Sequence, residues 1–201
     1  MLAVTRETVL QLLDEVPRLA DLYRDRDPAF RERVLDWLLR VEGKLSRLRN
    51  PLASLAAAQR TTILAVSDGL REPQIDASAS VRKATRATVS LTLRRTEEAL
   101  RDLIEATDRK LEEGREKMTQ LLAVTTTTQP IPLPPTKPRQ AWLERVWRSL
   151  ETSNGTQGMY AYLNAALRAS DRLYLLDEIL DNLLSGSPVE ILRSTQELSP
   201  D

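Results

Sequence analysis

The chain has neither cysteine nor histidine among its 201 residues. Without cysteine it cannot form a disulfide or use a thiolate nucleophile, and without either residue it lacks the usual ligands of structural zinc and haem iron. Histidine-dependent acid–base and triad chemistry is excluded for the same reason. Carboxylate, lysine, tyrosine and serine chemistry is left, and the sequence brings no convergent set of these groups together. We therefore expect a protein that is not an enzyme and that has no cofactor.

Aromatic residues make up only 4% of the chain, and glycine occurs only six times. The core must therefore be built mostly from leucine, alanine, valine and isoleucine. Leucine, alanine, arginine and glutamate are strong helix formers, and few β-branched runs compete with them here. The composition predicts an all-α fold.

Long apolar runs are also missing, since none approaches the ~20 residues that a membrane-spanning helix needs. The first residues, MLAVTRETV, lack the basic region and the apolar stretch of a signal peptide. We expect a cytoplasmic protein without a membrane span.

The eleven prolines divide the chain, and the longest interval between two of them holds residues 74–129. With one glycine in that interval, Gly114, the sequence predicts a helix over about residues 77–124, roughly 70 Å long at ~1.5 Å per residue. Its second half carries a narrow apolar stripe with charged flanks, as in coiled coils. Its first half is rich in serine and threonine, so we expect it to face a partner.

Apolar residues at helical spacing predict the remaining helices. The first begins near Thr5 and is kinked or broken at Pro17. Two more begin at Asp27-Pro28 and at Asn50-Pro51, where a capping residue precedes a proline. After the long helix, a fifth begins at about residue 138 and a sixth covers residues 159–184.

Together these patterns predict an elongated helical bundle of about six helices with a central helix of about 45 residues, coiled-coil-like in its packing. Residues 1–124 form the bundle with the long helix, and residues 125–138 form a Pro/Thr-rich linker. Residues 139–201 form a C-terminal helical hairpin that packs back on the bundle.

A helix of that length cannot be covered by the shorter helices alone, so part of its stripe should pair with a second copy in a homodimer. Trp142 and Trp147 lie about 140° apart at ~100° per residue, so both cannot sit centrally on one face. One of them would then be partly exposed or meet a partner. The candidate interface residues are Leu100, Ile104, Leu111, Met118, Trp142 and Trp147.

The predicted linker contains a PxxPxK pattern at Pro132, Pro135 and Lys137. Grooves of the SH3 type bind such polyproline segments together with a basic residue. A stiff spacer without a partner is the alternative, because proline-rich linkers are common.

Positive charge is concentrated in residues 37–96, which carry eleven basic and four acidic residues, although the net charge of the chain is zero. Residues 77–96 contain no acidic residue. Their basic residues are candidate contacts for an anion or for nucleic acid phosphates: Arg82, Lys83, Arg86, Arg94 and Arg95. A solvated face, or a contact with the acidic C-terminal region, is the alternative.

Asp177 and Asp181 lie one helical turn apart, after the apolar residues 173–176. A carboxylate pair at that spacing can hold Mg²⁺ against a substrate phosphate. The alternative is the solvated acidic face of an amphipathic helix.

Three functional hypotheses follow. The first is a non-enzymatic scaffold or adaptor that works through helix–helix protein interactions as a homodimer. The second is a nucleic-acid-associated protein that uses the basic region 37–96. The third is a Mg²⁺-dependent enzyme that uses the carboxylates of residues 177–181.

Overall fold

The computed structural model describes residues 1–70, 75, 80–128, 139–151 and 156–185, and their regular structure is entirely α-helical. The predicted all-α fold is confirmed. Eight helices lie in these residues: α1 (Leu2–Leu13), α2 (Val16–Arg24), α3 (Phe30–Arg47), α4 (Leu52–Ser67), α5 (Val81–Thr128), α6 (Arg139–Glu151), α7 (Gln157–Ala166) and α8 (Ala169–Ser185).

The described residues contain eight helices rather than the predicted six, because two of the predicted helices are each broken into two. The break predicted at Pro17 is present, because α1 ends at Leu13 and proline occupies the first turn of α2. The second break divides the predicted sixth helix into α7 and α8. Leu167 is extended there, with φ −121° and ψ 143°, yet it is buried. The apolar periodicity continues through this residue, so the pattern does not reveal the break.

The long helix is confirmed as α5, which has 48 residues. It continues to Thr128, four residues beyond the predicted end, although threonine is a weak helix former. The Thr125 hydroxyl donates to the Leu121 carbonyl at 2.9 Å and is buried. Packing therefore offsets the low intrinsic preference at that end.

Three of the four threonines in the first half of α5 face the core rather than a partner. Thr88, Thr92 and Thr96 are almost completely buried. Each hydroxyl donates to a carbonyl three or four residues earlier in α5, at 2.9–3.0 Å. Because the helix satisfies the hydroxyl, the residue packs as a small β-branched side chain. The expectation that polarity here marks a partner surface was wrong for these three residues.

The chain forms two compact units, one of which is Val4–Asp108 and the other Met1–Ala3 with Arg109–Asp201. Helix α5 contributes residues to both. The core of the first unit combines apolar residues of α1–α4 with Val89, Leu93 and Leu100 of α5. At its centre Trp37 is fully buried and donates its indole Nε1–H to the Leu12 carbonyl at 2.9 Å.

The core of the second unit combines the C-terminal part of α5 with α6, α7 and α8. Trp142 and Trp147 are both buried in it, so the prediction that one would be partly exposed was wrong. The reason is that α6 contacts both α7 and α8, which covers a wide arc of its surface. Trp147 stacks on Tyr160, with ring centroids 4.7 Å apart.

Helices α2, α3 and α4 end in the same backbone turn, in which an amide bonds to the carbonyl five residues earlier. The residue with positive φ is Arg26 after α2, Arg49 after α3 and Gly69 after α4. The Oδ1 atoms of Asp27 and Asn50 then accept a hydrogen bond from the backbone amide two residues further on, at 2.7 and 3.0 Å. These two turns let short connections join α2 to α3 and α3 to α4.

Residues 129–138, most of the predicted linker, lie outside the described residues, as do residues 186–201. The division into residues 1–124, 125–138 and 139–201 stays a prediction. Within the described part of the chain, none of the helices combines the length and apolar composition of a membrane span.

Candidate functional site

The five candidate basic residues do not form one surface. Arg82 and Arg86 lie one turn apart on α5 and line the same cavity in the Val4–Asp108 unit. Lys83 is one residue, or about 100°, away from Arg82 around the helix and is exposed. Arg94 is also exposed, whereas Arg95 is partly buried. The prediction of a nucleic-acid contact stays a prediction, with its residues spread over different faces of α5.

Arg86 is held by neighbours within its unit. Its Nη2 donates to the Tyr23 carbonyl, and its guanidinium carbon lies 4.9 Å from the ring centroid of Tyr23 and 5.6 Å from that of Phe30. Cation–π contacts of this kind orient a guanidinium without neutralising it. Arg86 therefore keeps its positive charge at a defined position.

The candidate interface residues lie in the cores of the chain itself. Leu100 is 1% exposed in one core, and partly buried Ile104 packs against that core. The other four are buried in the second core: Leu111, Met118, Trp142 and Trp147. They stabilise the two units, so a surface for a partner must be sought elsewhere.

Asp177 and Asp181 share a cation that the chain supplies. Arg139 of α6 lies with its Nε 2.5 Å from Asp177 Oδ1, and its Nη2 donates to Asp181 Oδ1. The hydrogen bond to Asp181, followed by the charge of Asp177, raises the pKa of Arg139 above its ordinary value. A Mg²⁺ ion at these carboxylates would have to displace the guanidinium. The described residues contain no group of three or more acidic side chains placed to hold a metal.

The candidate proline-motif contacts, Pro132, Pro135 and Lys137, lie outside the described residues.

A surface that the sequence patterns missed lies on the outside of α3 and α4. Leu39 of α3 is 52% exposed and Leu64 of α4 is 48% exposed. Between the two helices, Arg60 Nη2 lies 2.9 Å from Glu42 Oε2. Both leucines fall outside the apolar stripes of their helices, and a leucine out of register is the signal that could have drawn attention to them.

The ion pair places the two leucines on one surface. Leu39 precedes Glu42 by three residues, and Leu64 follows Arg60 by four, so each leucine shares a helix face with its charged neighbour. Because a short connection makes α3 and α4 antiparallel, both steps run in the same direction along the pair. We name Leu39, Glu42, Arg60 and Leu64 the α3–α4 surface.

Small residues lie beside these four. No atom lies within 4 Å of the position that a Cβ of Gly43 would occupy, so that turn of α3 is uncovered. Ala57, on the face of α4 that carries Arg60 and Leu64, is only partly buried. At Gly43 and Ala57 the side chains are small, so a second helix can approach those turns more closely than it can approach the leucines and the ion pair.

No known protein family, curated protein or solved structure matches the chain.

Proposed function

We propose that the chain is a non-enzymatic helical adaptor that acts through helix–helix contacts and forms a homodimer through the α3–α4 surface. The observation that carries this proposal is the pair of half-exposed leucines, Leu39 on α3 and Leu64 on α4, beside the interhelical ion pair of Glu42 and Arg60. Leucine exposed beside small residues loses unfavourable contact with water when another helix covers it.

Charge complementarity favours a second copy as the occupant. In a two-fold symmetric dimer each surface meets itself, so every charge must find its opposite within the same patch. Glu42 and Arg60 provide one charge of each sign side by side. In a face-to-face dimer, Glu42 of each copy can approach Arg60 of the other, while the leucines pack between the copies.

The area available is consistent with a stable contact. Helices α3 and α4 have 18 and 16 residues, which gives a surface about 25 Å long and two helices wide. Stable dimer interfaces bury about 800 Å² per partner, so the dimer contact would extend beyond the α3–α4 surface over most of the outer face of these two helices.

The oligomeric state tests the proposal. Light scattering coupled to size-exclusion chromatography should give a mass of twice 22.7 kDa for the unchanged chain at high concentration. The double variant Leu39→Glu/Leu64→Glu should give the monomer mass, because four buried carboxylates would be left unpaired in each dimer. Far-UV circular dichroism checks that its helix content is retained.

Leu183→Glu is the matched control, since Leu183 is 54% exposed on α8 and lies outside the α3–α4 surface. This variant should remain a dimer. A chain that is monomeric at every concentration would refute the homodimer, and a dimer that survives Leu39→Glu/Leu64→Glu would refute the α3–α4 surface.

A further inference from the structure

A cavity of about 550 Å³ lies in the Val4–Asp108 unit, where the turn before α3, the end of α4 and the first turns of α5 meet. This volume lies in the range of sites for small organic ligands. Among its apolar lining residues Pro28 and Val81 are exposed, whereas Phe30 and Val89 are buried. The cavity thus offers an apolar wall to a ligand.

Four arginines line the same cavity, and only one of them has a carboxylate partner within the described residues. Arg31 pairs with Glu32, at 2.6 Å between Nη2 and Oε1, and its hydrogen bond lowers the pKa of Glu32. Arg31 Nη1 also donates to Ser67 Oγ at 3.4 Å. This neutralised pair forms one edge of the site.

The other three, Arg26, Arg82 and Arg86, have no acidic partner in the part of the chain that the structure describes. One lining carboxylate, Asp27, has no cationic partner among the described residues and accepts the Ala29 amide at 2.7 Å. The unpaired groups of the lining therefore leave an excess of positive charge. Such an excess beside an apolar wall attracts an anion with an apolar group.

The geometry of α5 brings two of these cations to one position. Arg82 and Arg86 are four residues apart, which places them on the same helix face with Cβ atoms about 6 Å apart. Arg86 is already oriented by Tyr23 and Phe30, so it loses little freedom when an anion binds. Arg82 is exposed and lines the same cavity, so its guanidinium can contact the same anion.

We propose that this cavity binds a small organic oxyanion, a phosphate monoester or a carboxylate, with an apolar group. The oxyanion lies between Arg82 and Arg86, and the apolar group lies against Pro28 and Val81. Planar guanidinium groups donate two parallel hydrogen bonds to such oxyanions. The site is separate from the α3–α4 surface, and its test does not depend on whether the chain dimerises.

Isothermal titration calorimetry with phenyl phosphate tests the site. Phenyl phosphate should bind more tightly than inorganic phosphate, which lacks the apolar group, and more tightly than phenol, which lacks the charge. Arg82→Gln should weaken the binding of phenyl phosphate about tenfold, because one charge-assisted contact is lost. Its melting temperature should stay close to that of the unchanged chain, since Arg82 has no ion-pair partner among the described residues.

Arg94→Gln is the matched control, because it removes an equal charge from an exposed position of α5 outside the cavity lining. Its affinity for phenyl phosphate should be unchanged. Equal losses in Arg82→Gln and Arg94→Gln would overturn the proposal, since they would indicate attraction to the basic helix as a whole. The absence of any heat of binding, or equal affinity for phenyl phosphate and inorganic phosphate, would overturn it too.

An oligonucleotide separates this site from the second hypothesis. In one outcome, single-stranded DNA binds with an affinity that Arg82→Gln and Arg94→Gln reduce equally. That result would favour an extended nucleic-acid contact and count against the cavity as the anion site. Phenyl phosphate binding that single-stranded DNA does not displace would support the cavity.

Discussion

Arg49 follows α3 with φ at +53°, in the left-handed region that side chains other than glycine rarely adopt. The corresponding position after α4 is Gly69, and the hydrogen bonds of the two turns are the same. Arg49 is exposed, and its guanidinium has no ion-pair or hydrogen-bond partner within the part of the chain that the structure describes. The chain therefore carries backbone strain at this position, which the hydrogen bond from the Leu52 amide to Asn50 Oδ1 and the packing of α3 against α4 offset.

Arg49→Gly should raise the free energy of unfolding by about 0.5–1 kcal/mol, because glycine relieves the strain of the positive φ. The greater entropy of glycine in the unfolded chain offsets part of this gain. Arg47→Gly is the control, since it removes the same charge from the last turn of α3. It should lower the free energy of unfolding by about 1 kcal/mol. Urea unfolding followed by circular dichroism measures both. A loss of stability in both variants would show that Arg49 has a role other than its turn.

At the scale of the element, Gly114 is a position at which α5 lies close to Leu175 of α8 and to Leu167 at the α7–α8 break. A Cβ at Gly114 would lie 2.9 Å from Leu167 Cδ1 and 3.0 Å from Leu175 Cδ1. Both leucines are buried, so neither can easily move aside. The single glycine of the long proline-free interval is thus a packing residue, and the helix tolerates its weak propensity because of this contact.

Gly114→Leu should lower the free energy of unfolding by about 1–3 kcal/mol through overpacking. Gly158→Leu is the control in the same unit, because no atom lies within 4 Å of the Cβ position of Gly158 in α7. It should leave stability unchanged or raise it by up to about 1 kcal/mol, as helix propensity predicts. Thermal unfolding compares the two, and equal effects would contradict the packing role of Gly114.

At the scale of the whole molecule, the described residues form two cores that share no residue. Leu45 belongs to the first and Leu150 to the second, and both are completely buried. Local unfolding follows such contiguous units, so each core should respond to its own substitutions. Helix α5, which supplies residues to both, is the element through which a response could spread.

Leu45→Ala and Leu150→Ala each remove a buried leucine, at a cost of about 2–5 kcal/mol. In hydrogen exchange measured by mass spectrometry, Leu45→Ala should reduce protection in α3 and α4 more than in α8. Leu150→Ala should do the opposite. Equal loss in all helices for both variants would mean that the chain unfolds as one cooperative body.

The helices were predictable wherever one strong local signal decided them. Proline in the first turn marked α2, and the Asp27-Pro28 and Asn50-Pro51 pairs marked the connections around α3. The proline-free interval marked α5 because it contains no proline and a single glycine. The α7–α8 break at Leu167 was missed, since a buried leucine in extended backbone keeps the apolar rhythm of a helix.

The candidate sites were less predictable, because exposure depends on neighbours from other helices. Leu100 and Trp142 are of residue types that occur often at interfaces, but the chain covers them with its own helices. Leu39 lies outside the apolar stripe of α3, and it is exposed because the core contacts lie on the opposite face of that helix.

The sequence by itself determined that the chain is helical, where most of its helices begin and end, and which side-chain chemistries are missing from it. These are local properties, set by backbone preference and residue type. Only the tertiary structure decided that Thr92 is core, that Arg139 holds Asp177 and Asp181, and that Arg82 and Arg86 meet at a cavity. Each of those outcomes depends on a residue distant in sequence or on which helix face is covered. Helical periodicity alone does not reveal which distant residue is near or which face another helix covers.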